Sequence, residues 1–173
     1  MFRFVPLALS ALLLAGGVAG AEVATGSSAS AAGGGVAITG HVKHPLHLRL
    51  ADLAKYPQHT VQVTFVGGKP ERTQNHTFSG PLLIDVLNAA GPQFDAAAKN
   101  DALRWGILVT GSGNYRALIA WSELDPHLGA KQVLLSMTED GKPLDAPRIA
   151  LPDDKGGGRY VGGVTDVRLS PVG

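Results

Sequence analysis

Five cationic side chains and one amide in this sequence are of types that can hold an anionic ligand: Arg72, Asn114, Arg116, Arg148, Lys155 and Arg159. All fall in segments that read as loops or strand ends. A guanidinium offers a planar fork of N–H donors that matches phosphate, and Gly156-Gly157-Gly158 lets backbone N–H groups come close to a ligand. The competing reading is solvated charge, paired at the surface with Asp145, Asp153 and Asp154. The segment from Asp153 to Arg159 is a better candidate as a whole than any one of its residues.

A second constellation is His41, His44 and His47, spaced three apart, with His59, His76 and His127 elsewhere. Imidazole suits copper and zinc. Pro45 argues against a helix, and a strand would put His41 and His44 on opposite faces, so the spacing alone does not assemble three ligands. Exposed polar residues on an edge strand are the plainer reading. Asn75-His76-Thr77 matches a glycosylation sequon, a pattern that often arises by chance. Nucleophilic catalysis has little support: there is no cysteine, and Ser112 lacks the strand–turn–helix setting of a nucleophile elbow. Asp153-Asp154, in a Gly-rich loop, suits water or a cation better than acid–base work. No catalytic residue is assigned by these patterns.

The elements that position these residues read as strand-rich with short helices. Val36 to Val42 and Thr60 to Val66 alternate as strands, the second with Val61, Val63 and Phe65 on one face. Leu50 to Tyr56 is helical and stops at Pro57. Gly67 to Gln74 reads as a polar loop. Ser79 is placed to cap a helix that buries Leu82, Leu83, Val86 and Leu87 and ends at Gly91-Pro92. Leu103 to Thr110 and Tyr115 to Ala120 form a hairpin around Gly111-Ser112-Gly113-Asn114, followed by a helical turn from Trp121 to Leu124. Gln132 to Met137, Arg148 to Leu151 and Val164 to Leu169 are the last strands. Strands outnumber helices without regular βαβ alternation, so the fold class is α+β.

The amino terminus predicts export. Arg3 precedes an apolar run from Val5 to Val18, and Ala19-Gly20-Ala21 fits a small-residue cleavage site, so residues 1–21 read as a secretory signal peptide. It is too short for a transmembrane span, and no lipoprotein cysteine follows it. Residues 22–35 read as a flexible Gly/Ala/Ser linker, and 36–173 as one domain. Cleavage removes Arg3 and no acidic side chain, which leaves 14 basic and 14 acidic residues and no net charge. There is no basic stripe, so neither nucleic acid nor an anionic membrane surface is an expected partner. The expected setting is periplasmic or secreted, with a small-molecule ligand or another periplasmic protein as partner.

Five motifs occur in a telling order: Gly40-His41-Val42-Lys43-His44-Pro45, Leu50-Ala51-Asp52-Leu53, Gly80-Pro81-Leu82-Leu83 running into Val86-Leu87 and Ala89-Ala90-Gly91, the 103–120 hairpin, and Asp140-Gly141-Lys142-Pro143-Leu144. In this order the chain, over about residues 36–170, resembles the molybdopterin-binding domain of the sulfite oxidase family. The resemblance implies a mixed sheet wrapped by short helices, a pterin cleft lined by loops, and pterin contacts from residues such as Arg72, Asn114, Arg116, Arg148, Lys155 and Arg159. It implies molybdopterin as the cofactor and an oxidoreductase as the usual activity.

The departures are as informative. The family's metal-binding cysteine falls at Phe65, in Val63-Thr64-Phe65-Val66-Gly67. Phenylalanine has no lone pair to offer, and nothing else supplies a soft thiolate. Ala146-Pro147 stands where the family usually has Gly-Pro. A protein loaded with molybdopterin in the cytoplasm crosses the membrane folded, by the twin-arginine route, and Arg3 stands alone. Both features weigh against molybdenum. The expectation is an exported protein that uses the cleft to bind a ligand or partner. The alternatives are an oxidoreductase with a non-cysteine metal ligand and a copper- or zinc-binding protein built on His41, His44 and His47.

Overall fold

A computed structural model describes residues 35–172; the expected leader and the linker as far as residue 34 lie outside the described residues. Alternating apolar side chains generate two sheets. The first has five strands in the order β2-β1-β9-β5-β6: β1 Gly35–Gly40, β2 Leu46–Arg49, β5 Trp105–Thr110, β6 Arg116–Ala120 and β9 Asp166–Pro171. Only β1 and β9 run parallel. The second is antiparallel throughout in the order β3-β4-β7-β8: β3 Gln58–Gly67, β4 Arg72–Pro81, β7 Leu134–Glu139 and β8 Lys142–Ala150. Three short helices, α1 Leu50–Leu53, α2 Leu83–Ala90 and α3 Trp121–Leu124, complete the α+β fold. Among the described residues, no helix is long and apolar enough to cross a membrane.

Helix α2 buries Leu83, Val86, Leu87 and Ala90, a spacing of three and four that makes one apolar stripe. Gly91 ends it with a left-handed backbone, φ 71°, that a side chain would resist. This stripe meets Val36, Ile38, Ile107, Val109, Val167 and Leu169 of the first sheet and Leu135 and Ile149 of the second in one core. A smaller cluster of Val61, Val63, Phe65, Phe78, Leu134 and Ala150 lies on the second sheet, with Tyr160 packed against it.

Three expectations are corrected. The segment 67–74 is not all loop: β4 begins at Arg72 and pairs with the whole of β3, from Gly67↔Arg72 to Gln58↔Pro81. Ser79 therefore lies in a strand, where its Oγ meets Thr60 Oγ1 at 2.8 Å, and the residue before α2 is Leu82, which offers no side-chain cap. The strand expected from Arg148 begins earlier, at Lys142, directly after the Asp140-Gly141 turn.

Candidate functional site

The hairpin loop 111–116 and the loop 153–159 lie against each other. The Tyr115 hydroxyl donates to the Gly158 carbonyl at 2.5 Å, and the Ser112 N–H donates to the Gly162 carbonyl at 3.2 Å. Left-handed backbone at Gly113 and Asn114 (φ 65° and 61°) folds the first loop tightly enough to allow this. The second loop is stitched to the end of β3, where the Val66 N–H donates to the Lys155 carbonyl at 2.9 Å. A cleft of about 520 Å³ opens between Tyr115, Gly157 and Gly158 on one side and Phe65, Lys69 and Gln74 on the other. A second depression, of about 460 Å³, continues along the β3–β4 turn and includes Arg72.

Of the six proposed ligand-holding residues, Arg72 lines the depression, and Tyr115 and the glycines rather than Asn114, Arg116 or Lys155 line the cleft. Arg116 is turned onto its neighbour: its Nε and Nη2 donate to Asn114 Oδ1 at 3.1 and 2.8 Å. Arg148 donates to Glu139 Oε2 at 2.7 Å. Lys155 is exposed and has no ion pair among the described residues. Arg159 is the most engaged: it grips Glu123 through Nη1 and Nη2 at 2.9 and 3.2 Å, and Asp154 through Nε and Nη2 at 2.8 and 2.6 Å. It fastens the glycine loop to α3, so its contribution to the cleft is to hold the wall in place.

Burial works against the Glu123 carboxylate, but Arg159, Lys131 and the Ala120 N–H outweigh it and hold its pKa down to about 2 from an ordinary 4.5. The folded-state pKa is the lower one. The carboxylate therefore stabilises the fold above pH 4.5, and that contribution is lost as pH falls through the window from 4.5 to about 2. The expected result is that Glu123→Gln lowers the melting temperature near neutrality, and that its gap from the parent narrows across this window. Thermal melts of both proteins over that range check it; a gap independent of pH would contradict the assignment.

The donors at the position implied for a molybdenum ligand do not fit a cysteine-ligated metal. Phe65 is 8% exposed, its ring lies 4.3 Å from that of Tyr160, and Gly157 sits so close that a Cβ there would come within 2.9 Å of it. No thiolate exists in the chain, and burial pushes the Tyr160 phenol up to about 12, with its hydroxyl donated to the Leu151 carbonyl. An aromatic pair occupies the place where a soft anionic ligand would be needed.

The histidines also fall differently from their spacing. His41 stacks on Trp105 at 4.6 Å, His44 is exposed, and His47 sits on edge strand β2. Among the described residues, the one group of three metal-ligating side chains is His76, Glu139 and Asp140. Sequence reasoning had left His76 unassigned. Its position is set by the β3–β4 register, which puts it opposite Val63 on the inner face.

The family profile "Oxidoreductase molybdopterin binding domain" matches residues 34–148. The sulfane dehydrogenase SoxCD from Paracoccus pantotrophus superposes with a TM-score of 0.61 at 16% identity, over 78% of this chain. The chain spans only 37% of the length of that SoxCD chain. No curated protein matches by sequence. The shared fold and the family match agree: this chain belongs to the oxidoreductase molybdopterin-binding domain family.

Proposed function

We propose that this protein is an exported binding protein that has kept its family's cleft and given up thiolate-ligated molybdenum. The observation that carries the proposal is the Phe65–Tyr160 aromatic pair, packed beneath Gly157 where the family's cysteine would lie. The cleft joins aromatic surface from Phe65 and Tyr115 to the Lys69 ammonium, with Arg72 in the adjoining depression. That combination favours a small planar ligand with negative charge, which stacks on a ring and pairs with the cations. Molybdopterin without its metal fits this class. Export rests on the signal-like residues 1–21, and the lone Arg3 favours passage as an unfolded chain, before any cofactor is loaded. Family membership supports the second reading, an oxidoreductase that takes the metal cofactor through an oxygen ligand.

Mass spectrometry of the small molecules released when the natively purified protein is denatured tests the proposal. The expected result is a planar anion at near-stoichiometric amount, retained less by Tyr115→Ala or Lys69→Ala than by the parent, each by about tenfold for a loss of roughly 1.4 kcal/mol. Protein that releases nothing, and variants that bind like the parent, would contradict it.

A further inference from the structure

We propose that His76, Glu139 and Asp140 form a site for one divalent transition-metal ion of the zinc class. This goes beyond the cleft reading and does not rest on it. Three elements deliver the ligands. His76 is on β4, Glu139 ends β7 opposite Phe78, and Asp140 begins the two-residue turn to β8. Asp140 and Gly141 both have left-handed backbone, φ 51° and 74°, the conformation an Asp-Gly hairpin turn requires. The Asp140 N–H donates to the Thr77 carbonyl at 2.8 Å, which latches the turn to β4 beside His76.

The donor atoms converge. His76 Nδ1 is 3.2 Å from Glu139 Oε1 and 2.9 Å from Asp140 Oδ2, and the three lie within 4.8 Å of one another. Ligand bonds of about 2.0–2.2 Å in a tetrahedral site put neighbouring donors roughly 3.3 Å apart. The two imidazole–carboxylate distances are already within a few tenths of an ångström of that spacing.

Each ligand is also held from behind. His76 Nε2 faces Gln74 Oε1 at 3.2 Å, Glu139 Oε2 accepts from Arg148 at 2.7 Å, and Asp140 Oδ1 accepts from the Thr77 N–H at 2.8 Å. These are the outer contacts that orient metal ligands. When the Nε2 proton is donated to Gln74, Nδ1 presents a lone pair towards two carboxylates, a donor set that a metal ion can complete in place of a proton. The imidazole ring is further fixed by Phe65 and Phe78, at 5.6 and 5.8 Å. One nitrogen and two carboxylate oxygens suit zinc better than a soft copper(I) ion or a calcium ion that seeks six or more oxygens. Three protein ligands leave a fourth position for water.

The test is calorimetric titration of the full chain, stripped by chelator, with zinc chloride, alongside the visible d–d spectrum of its cobalt(II) form. The expected result is one ion per chain and a tetrahedral cobalt spectrum. Asp140→Asn, which keeps the turn, and Gln74→Ala, which removes the partner of the imidazole but no metal ligand, should each weaken zinc by about 10–100-fold. His76→Ala should abolish saturable binding, while His44→Ala and His47→Ala leave it unchanged. The proposal is overturned if the parent shows no saturable zinc binding, or if Asp140→Asn and Gln74→Ala both bind as tightly as the parent. Loss in His44→Ala would also overturn it, since the ion would then sit elsewhere. If His76→Ala fails to fold by circular dichroism, the Asp140→Asn result decides.

Discussion

Replacing Phe65 with alanine is expected to destabilise the protein by about 3–5 kcal/mol, the range for emptying a large aromatic from a core. The ring is 8% exposed and belongs to the cluster of Val61, Val63, Phe78, Leu134 and Ala150. It also meets the Tyr160 ring in a tilted aromatic contact worth about 0.5–1.5 kcal/mol beyond burial. Denaturant melts of parent and variant measure the difference. A variant as stable as the parent would mean that the ring serves the cleft and not the core. Phe65→Cys should also destabilise the fold, by leaving most of the same cavity, and should not by itself recruit molybdenum.

The second large effect is expected at Gly80, where β4 passes β7. A Cβ built there would lie 2.5 Å from the Leu135 carbonyl oxygen and 2.7 Å from Ser136 Cα. Both are backbone atoms of a central strand and cannot rotate away. The single Ser136 O–H is shared between the Ser79 carbonyl at 3.0 Å and the Thr138 carbonyl at 2.7 Å, which helps hold the two strands at that spacing. Gly80→Ala should therefore cost about 3 kcal/mol, the upper end of the usual range for overpacking. It should also loosen the joint between β4 and β7, which sets His76 beside Glu139. A melt of Gly80→Ala together with its zinc affinity checks both; unchanged values would show that the strands have room to separate.

The sequence made legible what hydrophobic alternation and turn residues encode. Strand β3 announced itself through Val61, Val63 and Phe65, helix α2 through Leu83, Val86 and Leu87, and the β5–β6 hairpin through its Gly/Asn loop. Strand β4 was hidden because its alternation is polar. The inward positions Gln74 and His76 are only half-buried at the mouth of the cleft, and Phe78 is the first apolar residue of the strand to be covered. Strand β2 was hidden by its length of four residues, directly after Pro45. The His76 cluster was illegible for a different reason. His76 lies more than sixty residues from the adjacent Glu139 and Asp140 and meets them only through the β4–β7 register, whereas the evenly spaced His41, His44 and His47 are parted by a strand edge and a turn. Arginine content marked Arg159 as a ligand holder, but nothing local revealed that Glu123 on α3 would engage it.

A cleft that persists without thiolate-bound molybdenum is tested by elemental analysis of the full chain purified from the exported fraction of cells that assemble molybdopterin, paired with a sulfite oxidation assay. The predicted result is molybdenum at background per chain and no sulfite oxidation. One molybdenum per chain would contradict the claim, and would require an oxygen ligand beside Phe65 to take the place of the missing cysteine.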